Sequence, residues 1–389
     1  MNSFSYFNPV KLVYGPGVLD RVGKEILHLV DVGASVLVIY GGGSVKRTGV
    51  LNRVLSECRK VGLRCIERGG VRQNPTVEFV RETIEIIRRE KIDAVLAIGG
   101  GSVIDTAKAS VLGEAYEGDV WDYFCGKANK AARLPIATVL TIPAAGSEQS
   151  ARCVISNGDI KNGAGSESMN IRPRVSIVDP TVFMTLSQRQ MAAGVSDMMS
   201  HVFERYFTNT KGVEFTTEEC EGALRVTMQS ARRLKADWSD LESWEQIGLV
   251  GSFAHCGFFG MGHEEDWACH AIEHALSGWN PSIVHGEGLA VLTPAWMQYV
   301  WKYNPERFVR FARYVMGVTG GSSQAEVVTL AIEELRSFYS FLGLPSRLAE
   351  LVEEEIPYEK ISELATHFGS IGHFCVLQKE DICKILKSA

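Results

Sequence analysis

The sequence predicts an α/β domain with an open, mostly parallel sheet over residues 1–184, followed by an all-α domain over residues 185–389. A chain of 389 residues suits two domains of ordinary size. In the first half, short β-branched runs alternate with stretches of helical spacing, the order that gives right-handed crossovers and a parallel sheet. After Asp179 and Pro180 strand-like runs become scarce and helical periodicity prevails, which predicts the change of fold class there.

The strands of the predicted sheet are marked by apolar runs that end in glycine. Residues 35–40 precede three glycines, and residues 93–98 precede a second glycine-rich turn. Such continuous runs are typical of strands buried on both faces of a parallel sheet. Further strands are predicted at residues 64–67, 135–142 and 174–179, and helices at residues 50–61, 76–90 and 103–112.

The second half is predicted to be helical because apolar residues recur there at helical spacing. The clearest examples are residues 195–207, 218–234, 243–258, 266–276 and 324–341. No repeat of fixed period is present.

Charge and hydropathy exclude two classes of partner. The 40 basic and 46 acidic residues give a net charge of −6, and the basic residues do not cluster, so nucleic acid is not expected as a partner. The apolar runs are strand-sized, far below the roughly 20 residues that span a bilayer, so no membrane segment is expected. The nine cysteines form no CxxC pair and residues 1–9 do not resemble a secretory signal, which favours reduced thiols and a cytoplasmic location.

A glycine-rich turn lies between the strand predicted at 93–98 and the following helix. Gly99, Gly100, Gly101 and Ser102 would bring backbone amides and a helix N-terminus toward an anion such as a pyrophosphate. The pattern lacks both the full GxGxxG fingerprint and the lysine of a P-loop. A tight strand-to-helix turn without a ligand explains the same residues, and both interpretations stay open here.

A second glycine turn follows the strand predicted at 35–40, where the adenosine ribose would lie in a dinucleotide-binding fold. A carboxylate at this place would favour NAD, and residues 41–47 contain none. Ser44, Lys46 and Arg47, next to Gly42 and Gly43, instead suit a 2′-phosphate. The alternative is a solvated basic start of a helix.

Histidines and one aspartate at helical spacing form a candidate metal site. Asp197 and His201 are four residues apart, as are His270 and His274, and His285 follows before a glycine. One such pair is more often structural, whereas two pairs and a further histidine favour Zn²⁺ or Fe²⁺. The remaining histidines have no partner at this spacing and are interpreted as structural or exposed: His28, His255, His263, His367 and His373.

Taken together, these motifs resemble the iron-containing alcohol dehydrogenases, in particular the branch of NADPH-dependent butanol dehydrogenases and aldehyde reductases. The resemblance covers nearly the whole chain through FNPV at 7–10, YGPG at 14–17, YGGGS at 40–44, QNP at 73–75, AIGGGSVIDTAK at 97–108, GSE at 146–148, VDP at 178–180, GVSD at 194–197 and the histidine segment 270–285. It implies a Rossmann-like dinucleotide-binding domain followed by a helical domain, the architecture also seen in dehydroquinate synthase.

The resemblance also implies roles for individual residues. It assigns the metal to Asp197, His201, His270 and His285, and a proton relay to His274. It also implies a set of residues that bind the nicotinamide cofactor: Gly42, Gly43, Ser44, Lys46, Asn74, Gly99, Gly100, Gly101, Ser102, Asp105, Thr141, Ser147 and Lys161. Two departures from the family pattern stand out: Ala145 replaces a usual threonine, and residues 160–172 are longer and richer in Gly and Ser than expected.

The implied activity is the interconversion of a primary alcohol and its aldehyde, with Fe²⁺ or Zn²⁺ and NADPH/NADP⁺. A homodimer or larger homo-oligomer acting on a small molecule is expected from the same resemblance. The competing hypothesis is a dehydroquinate synthase-like lyase that acts on a phosphorylated sugar acid. That reaction requires additional Lys and Arg for the substrate, whereas this sequence offers apolar and aromatic residues there, around Phe258, Phe259, Trp267 and Trp279. A binding protein without turnover is a third, weaker alternative.

Overall fold

The computed structural model describes residues 1–389 and divides them into two compact units. One unit comprises Phe7–Leu186 and the other comprises Met1–Tyr6 with Ser187–Ala389. The sequence-based division placed the first six residues in the α/β domain, whereas in the structure they pack on the helical unit. The amide of Asn2 donates to the carbonyl of Gly262 at 3.0 Å, and the rings of Tyr6 and Phe258 meet edge to face at 6.3 Å.

The α/β unit is built on a six-stranded sheet in the order β1-β8-β5-β4-β2-β3, in which every pair of neighbours is parallel. Together with the helical second unit, this confirms the predicted fold class. A two-stranded antiparallel hairpin, β6-β7, stands apart from the sheet. The strands are β1 Lys11–Tyr14, β2 Ser35–Gly41, β3 Arg64–Val71, β4 Ala94–Gly99, β5 Ile136–Leu140, β6 Cys153–Asn157, β7 Ile160–Ala164 and β8 Val175–Val178.

Seven helices of this unit lie between or after these strands, and their buried residues contribute to its hydrophobic core. Their bounds are α1 Val22–Ile26, α2 Ser44–Arg47, α3 Val50–Lys60, α4 Val77–Glu90, α5 Gly101–Ala115, α6 Trp121–Phe124 and α7 Pro180–Phe183. Helix α3 turns Val50, Leu51, Val54 and Leu55 inward at helical spacing, and these side chains pack with the apolar residues of β2 and β4. This buried layer fixes the strand ends that carry the two glycine turns.

The helical unit contains α8 Gln188–Tyr206, α9 Glu214–Ala236, α10 Leu241–Phe253, α11 Ala268–Trp279, α12 His285–Val300, α13 Pro305–Tyr314, α14 Gln324–Leu342, α15 Tyr358–Ala365 and α16 Lys379–Ser388. Helix α8 begins with a capping box formed by Ser187 and Gln190. It packs against α12, and α12 in turn packs against α11. No helix of the chain combines the length and the apolar character needed to cross a bilayer.

Candidate metal centre and cofactor site

Four side chains from three helices of the helical unit converge on one point. Asp197 and His201 lie one turn apart on α8, His270 is on α11, and His285 is the first residue of α12. Asp197 Oδ1 lies 3.3 Å from His201 Nε2 and 3.8 Å from His285 Nε2. Donor atoms of Asp197, His201 and His270 are all within 4.8 Å of one another. The structure thus brings together all four residues that the sequence analysis grouped as metal ligands.

The close approach of α12 to α8 depends on a glycine. A Cβ on Gly286 would lie 2.0 Å from the carbonyl oxygen of Ala193, so no other residue fits there without moving one helix. Because Gly286 directly follows His285, this contact also holds the His285 imidazole beside Asp197. The glycine that follows His285 therefore has a packing role.

Two buried glutamates orient two of the histidines. Glu204 Oε1 accepts hydrogen bonds from His270 Nδ1 at 2.8 Å and from the His270 amide at 2.9 Å. The carboxylate of Glu273 accepts from His285 Nδ1. Both glutamates are almost fully buried. Such carboxylate–histidine pairs fix the ring and its tautomer and leave Nε2 as the ligand atom.

The chemistry of the donor set fits a divalent metal ion. His270 Nε2 is buried without a hydrogen-bond partner, a costly state for a polar atom that metal coordination would remove. Burial, with smaller contributions from His270, His255 and Arg205, holds the pKa of His201 well below its usual range, so its imidazole is neutral, as a ligand must be. Three imidazoles and one carboxylate are typical of Zn²⁺ and Fe²⁺ sites.

His274 lies beside this group, one turn after His270 on α11. Its ring centroid is 5.5 Å from that of His285 and 6.4 Å from that of His270, and it is half-buried. A donor atom of His274 also lies within 4.8 Å of donor atoms of Glu273 and His285. We interpret Glu273 as the group that orients His285, since the two are hydrogen-bonded.

Among the histidines without partner spacing, His255 contacts this group. The ring centroid of His255 is 4.6 Å from that of His201, a contact that the sequence analysis did not predict. His263 is buried and bonded through both ring nitrogens, to Thr216 Oγ1 and to the carbonyl of Arg205. His28, His367 and His373 are exposed.

In the α/β unit, the first glycine turn joins β4 directly to α5. Gly99 ends the strand, Gly100 caps the helix, and Gly101 and Ser102 form its first turn. A Cβ on Gly99 would meet the Val103 side chain at 2.4 Å, so packing alone explains that glycine. Gly100 and Gly101 would meet neighbours only at ordinary contact distances of 3.4 and 3.6 Å, the latter to Ala145. Packing therefore leaves these two glycines unexplained, whereas close approach of a ligand would explain them.

A buried polar network lies behind this turn. Asp105 accepts from Ser147 Oγ at 2.6 Å and from the amide of Val154 at 2.9 Å. The Lys108 ammonium donates to Ser147 O, Ser147 Oγ and Arg152 O at 2.6 to 2.8 Å. Burial raises the pKa of Asp105 and lowers the pKa of Lys108 to about 8. Lys108 appeared in the sequence only as part of a motif, and its burial was not predicted.

The other predicted cofactor residues occupy three neighbouring segments of the same unit. Thr141 follows β5, and its amide donates to the carbonyl of Gly99 at 3.1 Å. Lys161, on β7, donates to Asn74 Oδ1 at 2.9 Å, which ties the hairpin to the turn before α4. The segment 160–172, which is longer and richer in Gly and Ser than the family pattern, contains a strand of the hairpin and a short 3₁₀ turn, Glu167–Met169.

The second glycine turn contains Gly42 and Gly43 and leads into α2. Gly43 has φ 127°, which only glycine adopts readily. Ser44 and Lys46 are exposed, and the Lys46 ammonium lies 5.0 Å from the centre of the Tyr40 ring. Interaction with Tyr40 raises the pKa of Lys46 above its usual value of 10.5, and the side chain is cationic at neutral pH as lysines ordinarily are.

Comparison with known proteins gives two family matches. The model described as iron-containing alcohol dehydrogenase matches residues 9–180, and the model of the C-terminal part of the same family matches residues 191–389. A probable NADH-dependent butanol dehydrogenase 1 of Bacillus subtilis is 38% identical over all of both chains. The NADPH-dependent aldehyde reductase YqhD of Escherichia coli is 31% identical, covering 90% of this chain and 89% of the relative.

A solved structure shares the whole fold. The crystal structure of NADH-dependent butanol dehydrogenase A from Thermotoga maritima superposes with a TM-score of 0.94 at 38% identity, covering 100% of this chain and 99% of that one.

Proposed function

The chain belongs to the iron-containing alcohol dehydrogenase family, and from this we propose that it interconverts a primary alcohol and its aldehyde with NADP(H) and a divalent metal ion, Fe²⁺ or Zn²⁺. The observation that carries the proposal is the convergence of Asp197, His201, His270 and His285, with His270 and His285 each held by a buried glutamate. These four residues are the proposed ligands.

When bound, the metal ion supplies a Lewis acid for the alcohol or carbonyl oxygen, and the nicotinamide supplies or accepts the hydride. The chain's own residues prepare for this. Glu204 and Glu273 keep the Nδ1 protons on their histidines, so that each Nε2 lone pair points to the common centre. Burial keeps His201 neutral. We propose that the imidazole of His274 holds a proton for the reaction, because this side chain is half-buried beside His285.

The cofactor is proposed to lie against the two glycine turns. Gly100 and Gly101 leave room for close approach of a pyrophosphate at the start of α5, a helix of 15 residues. Asp105 is bonded to Ser147 and the Val154 amide, and Lys161 is bonded to Asn74, so we propose that these residues shape the cofactor surface. Thr141 follows β5 next to this turn.

The preference for NADP(H) is the finer part of the proposal. Residues 41–47 offer Ser44, Lys46 and Arg47 and no carboxylate, which suits a 2′-phosphate. Relatives named NADH-dependent and NADPH-dependent both match this chain, so their names support a nicotinamide cofactor without deciding between the two forms. The lyase alternative lacks support, because both family models and the relatives described above are alcohol or aldehyde oxidoreductases.

Location and assembly complete the proposal. Nine free cysteines favour a reducing cytoplasm. A homodimer or larger homo-oligomer is expected from the family, and light scattering after size-exclusion chromatography tests it.

The test is turnover of a short aldehyde by protein reconstituted under anaerobic conditions with Fe²⁺ or with Zn²⁺. We expect metal-dependent oxidation of NADPH with butanal, faster than oxidation of NADH, and loss of both metal binding and turnover in His285→Ala. Absence of turnover with either metal and a series of small aldehydes, despite bound cofactor, would refute the proposed activity.

The cofactor preference is tested separately by Ser44→Asp. The new carboxylate repels a 2′-phosphate and accepts from a 2′-hydroxyl, so the ratio of kcat/KM for NADPH to that for NADH is expected to fall at least tenfold. Ser56→Asp, at an exposed position on α3, is the matched control and should leave the ratio unchanged. An unchanged ratio in Ser44→Asp would remove this residue from the cofactor site.

A further inference from the structure

His201 differs from the other two histidines of the proposed metal site in how it is held. His270 and His285 each donate from Nδ1 to a glutamate, whereas His201 Nδ1 is buried without a hydrogen-bond partner. The rotation of the His201 ring must therefore be limited by packing. Its ring contacts are His270 at 4.4 Å, His255 at 4.6 Å and Trp267 at 5.7 Å between centroids.

His255 itself is fixed by a buried arginine. Arg205 Nη2 lies 2.8 Å from His255 Nδ1, and a guanidinium can only donate, so Nδ1 is the acceptor and the imidazole is neutral with its proton on Nε2. Arg205 is itself fully constrained. It donates to the carbonyl of His201 at 2.6 Å, pairs with Glu265 at 3.2 Å, and lies 4.6 Å from the Trp267 ring centre.

We infer that His255 is a positioning residue for the proposed metal ligand His201. Arg205 holds both the backbone of His201 and the ring that packs against the His201 imidazole, at an interplanar angle of 33°. Glu204 and Glu273 fix the orientation of His270 and His285 by hydrogen bonding. The Arg205–His255 pair fixes the orientation of His201 by packing. This inference rests on the metal site of the proposed function.

The test compares metal affinities of His255 variants in the full chain, without cofactor or substrate. His255→Ala and His255→Leu both remove the ring, and Leu fills the volume in case the alanine variant does not fold. His255→Phe keeps a ring against His201. Phe253→Ala, two residues earlier and partly exposed at the end of α10, controls for local destabilisation.

We expect Zn²⁺ affinity, measured by competition with a chromophoric chelator, to fall about 10- to 100-fold in the Ala and Leu variants, the usual effect of removing a residue that orients a ligand. The d–d absorption bands of the Co²⁺-loaded protein should shift as well. His255→Phe should recover part of the affinity, because it keeps a ring against His201 but offers no acceptor to Arg205. Phe253→Ala should not change the affinity. Affinities of the Ala and Leu variants within twofold of the unchanged chain would overturn the inference.

These outcomes are separable from failure of the proposed function. If the unchanged chain binds metal but turns over no aldehyde, the proposed activity is refuted. The metal affinities of the His255 variants then still decide whether His255 positions His201. An unchanged chain that binds no divalent ion overturns both.

Discussion

Replacing Lys108 by methionine is expected to change how the stability of the chain depends on pH. The ammonium of Lys108 is fully buried behind the first glycine turn and donates to two carbonyl groups and the Ser147 hydroxyl. Methionine has a similar length and no charge, so it removes the titration and the three hydrogen bonds while leaving the volume filled.

The size of the effect follows from the pKa. Burial lowers the pKa of Lys108 from 10.5 to about 8, and at about 1.4 kcal/mol per pH unit this corresponds to about 3 kcal/mol. Below pH 8 both the folded and the unfolded chain carry the charge, so the contribution of Lys108 is constant. Between pH 8 and 10.5 the unfolded chain binds more protons, so Lys108 makes the folded chain more stable as the pH rises.

The difference in free energy of unfolding between the unchanged chain and Lys108→Met should therefore be flat below pH 8 and grow by about 3 kcal/mol toward pH 10.5. At pH 7 the variant should already be less stable by a few kcal/mol, because acceptors left without a donor cost about 1–3 kcal/mol each and removal of the buried charge offsets only part of this.

Urea unfolding followed by circular dichroism at pH 7, 8, 9 and 10 measures this difference. Groups that do not interact with Lys108 cancel in it, whereas Asp105, whose pKa Lys108 lowers, does not. Lys24→Met, which removes an exposed lysine of α1, is the matched control for the loss of a lysine. A Lys108→Met difference that stays flat to pH 10, or that shrinks as the pH rises, would refute the reasoning.

Three further predictions concern the helical unit. Glu204→Gln keeps an acceptor for His270 but loses the charge, so Zn²⁺ affinity measured by chelator competition should fall about tenfold or more; unchanged affinity would show that the charge is unimportant. Gly286→Ala places a Cβ against the Ala193 carbonyl, so it should lower the free energy of unfolding in urea by about 1–3 kcal/mol and weaken metal binding. The control is Gly222→Ala on α9, where a Cβ meets nothing within 4 Å, and this change should be neutral or stabilising. Zn²⁺ at a hundred times its Kd should stabilise the chain by about 2.7 kcal/mol, so chelation should lower the Tm; an unchanged Tm would argue against a metal bound preferentially to the folded state.

The sheet was predictable where the strands are buried on both faces. Strands β2 and β4 are continuous apolar runs that end in glycine, and they lie at the centre of the sheet as such runs should. Strand β1 was missed because its four residues are only partly buried, so no apolar run marks it. Strand β7 was missed because Lys161, Asn162 and Gly163 are poor strand formers, and its pairing with β6 supplies the order that local preference does not.

The candidate metal site was predictable in part because spacing on one helix is a local property, while the set of four ligands came from the family resemblance. Two residues four apart share a helix face wherever the helix goes, which identified Asp197 with His201 and drew attention to His270. The residues that hold the ligands could not be found in this way. Glu204 contacts His270 across 66 positions and His255 contacts His201 across more than 50, and no local pattern distinguishes them from other buried glutamates and histidines.

The packing of Met1–Tyr6 on the helical unit determines when this segment can fold during synthesis of the chain. Asn2 leaves the ribosome far ahead of its partner Gly262, and at 5–20 residues per second the delay between them is roughly 10–50 s. Residues 1–6 thus cannot dock until the residues that receive them have been made, and Tyr6 meets Phe258 only after that residue has emerged. The docking of this segment, whose side chains stay exposed after it, therefore belongs to a late stage in the maturation of the chain.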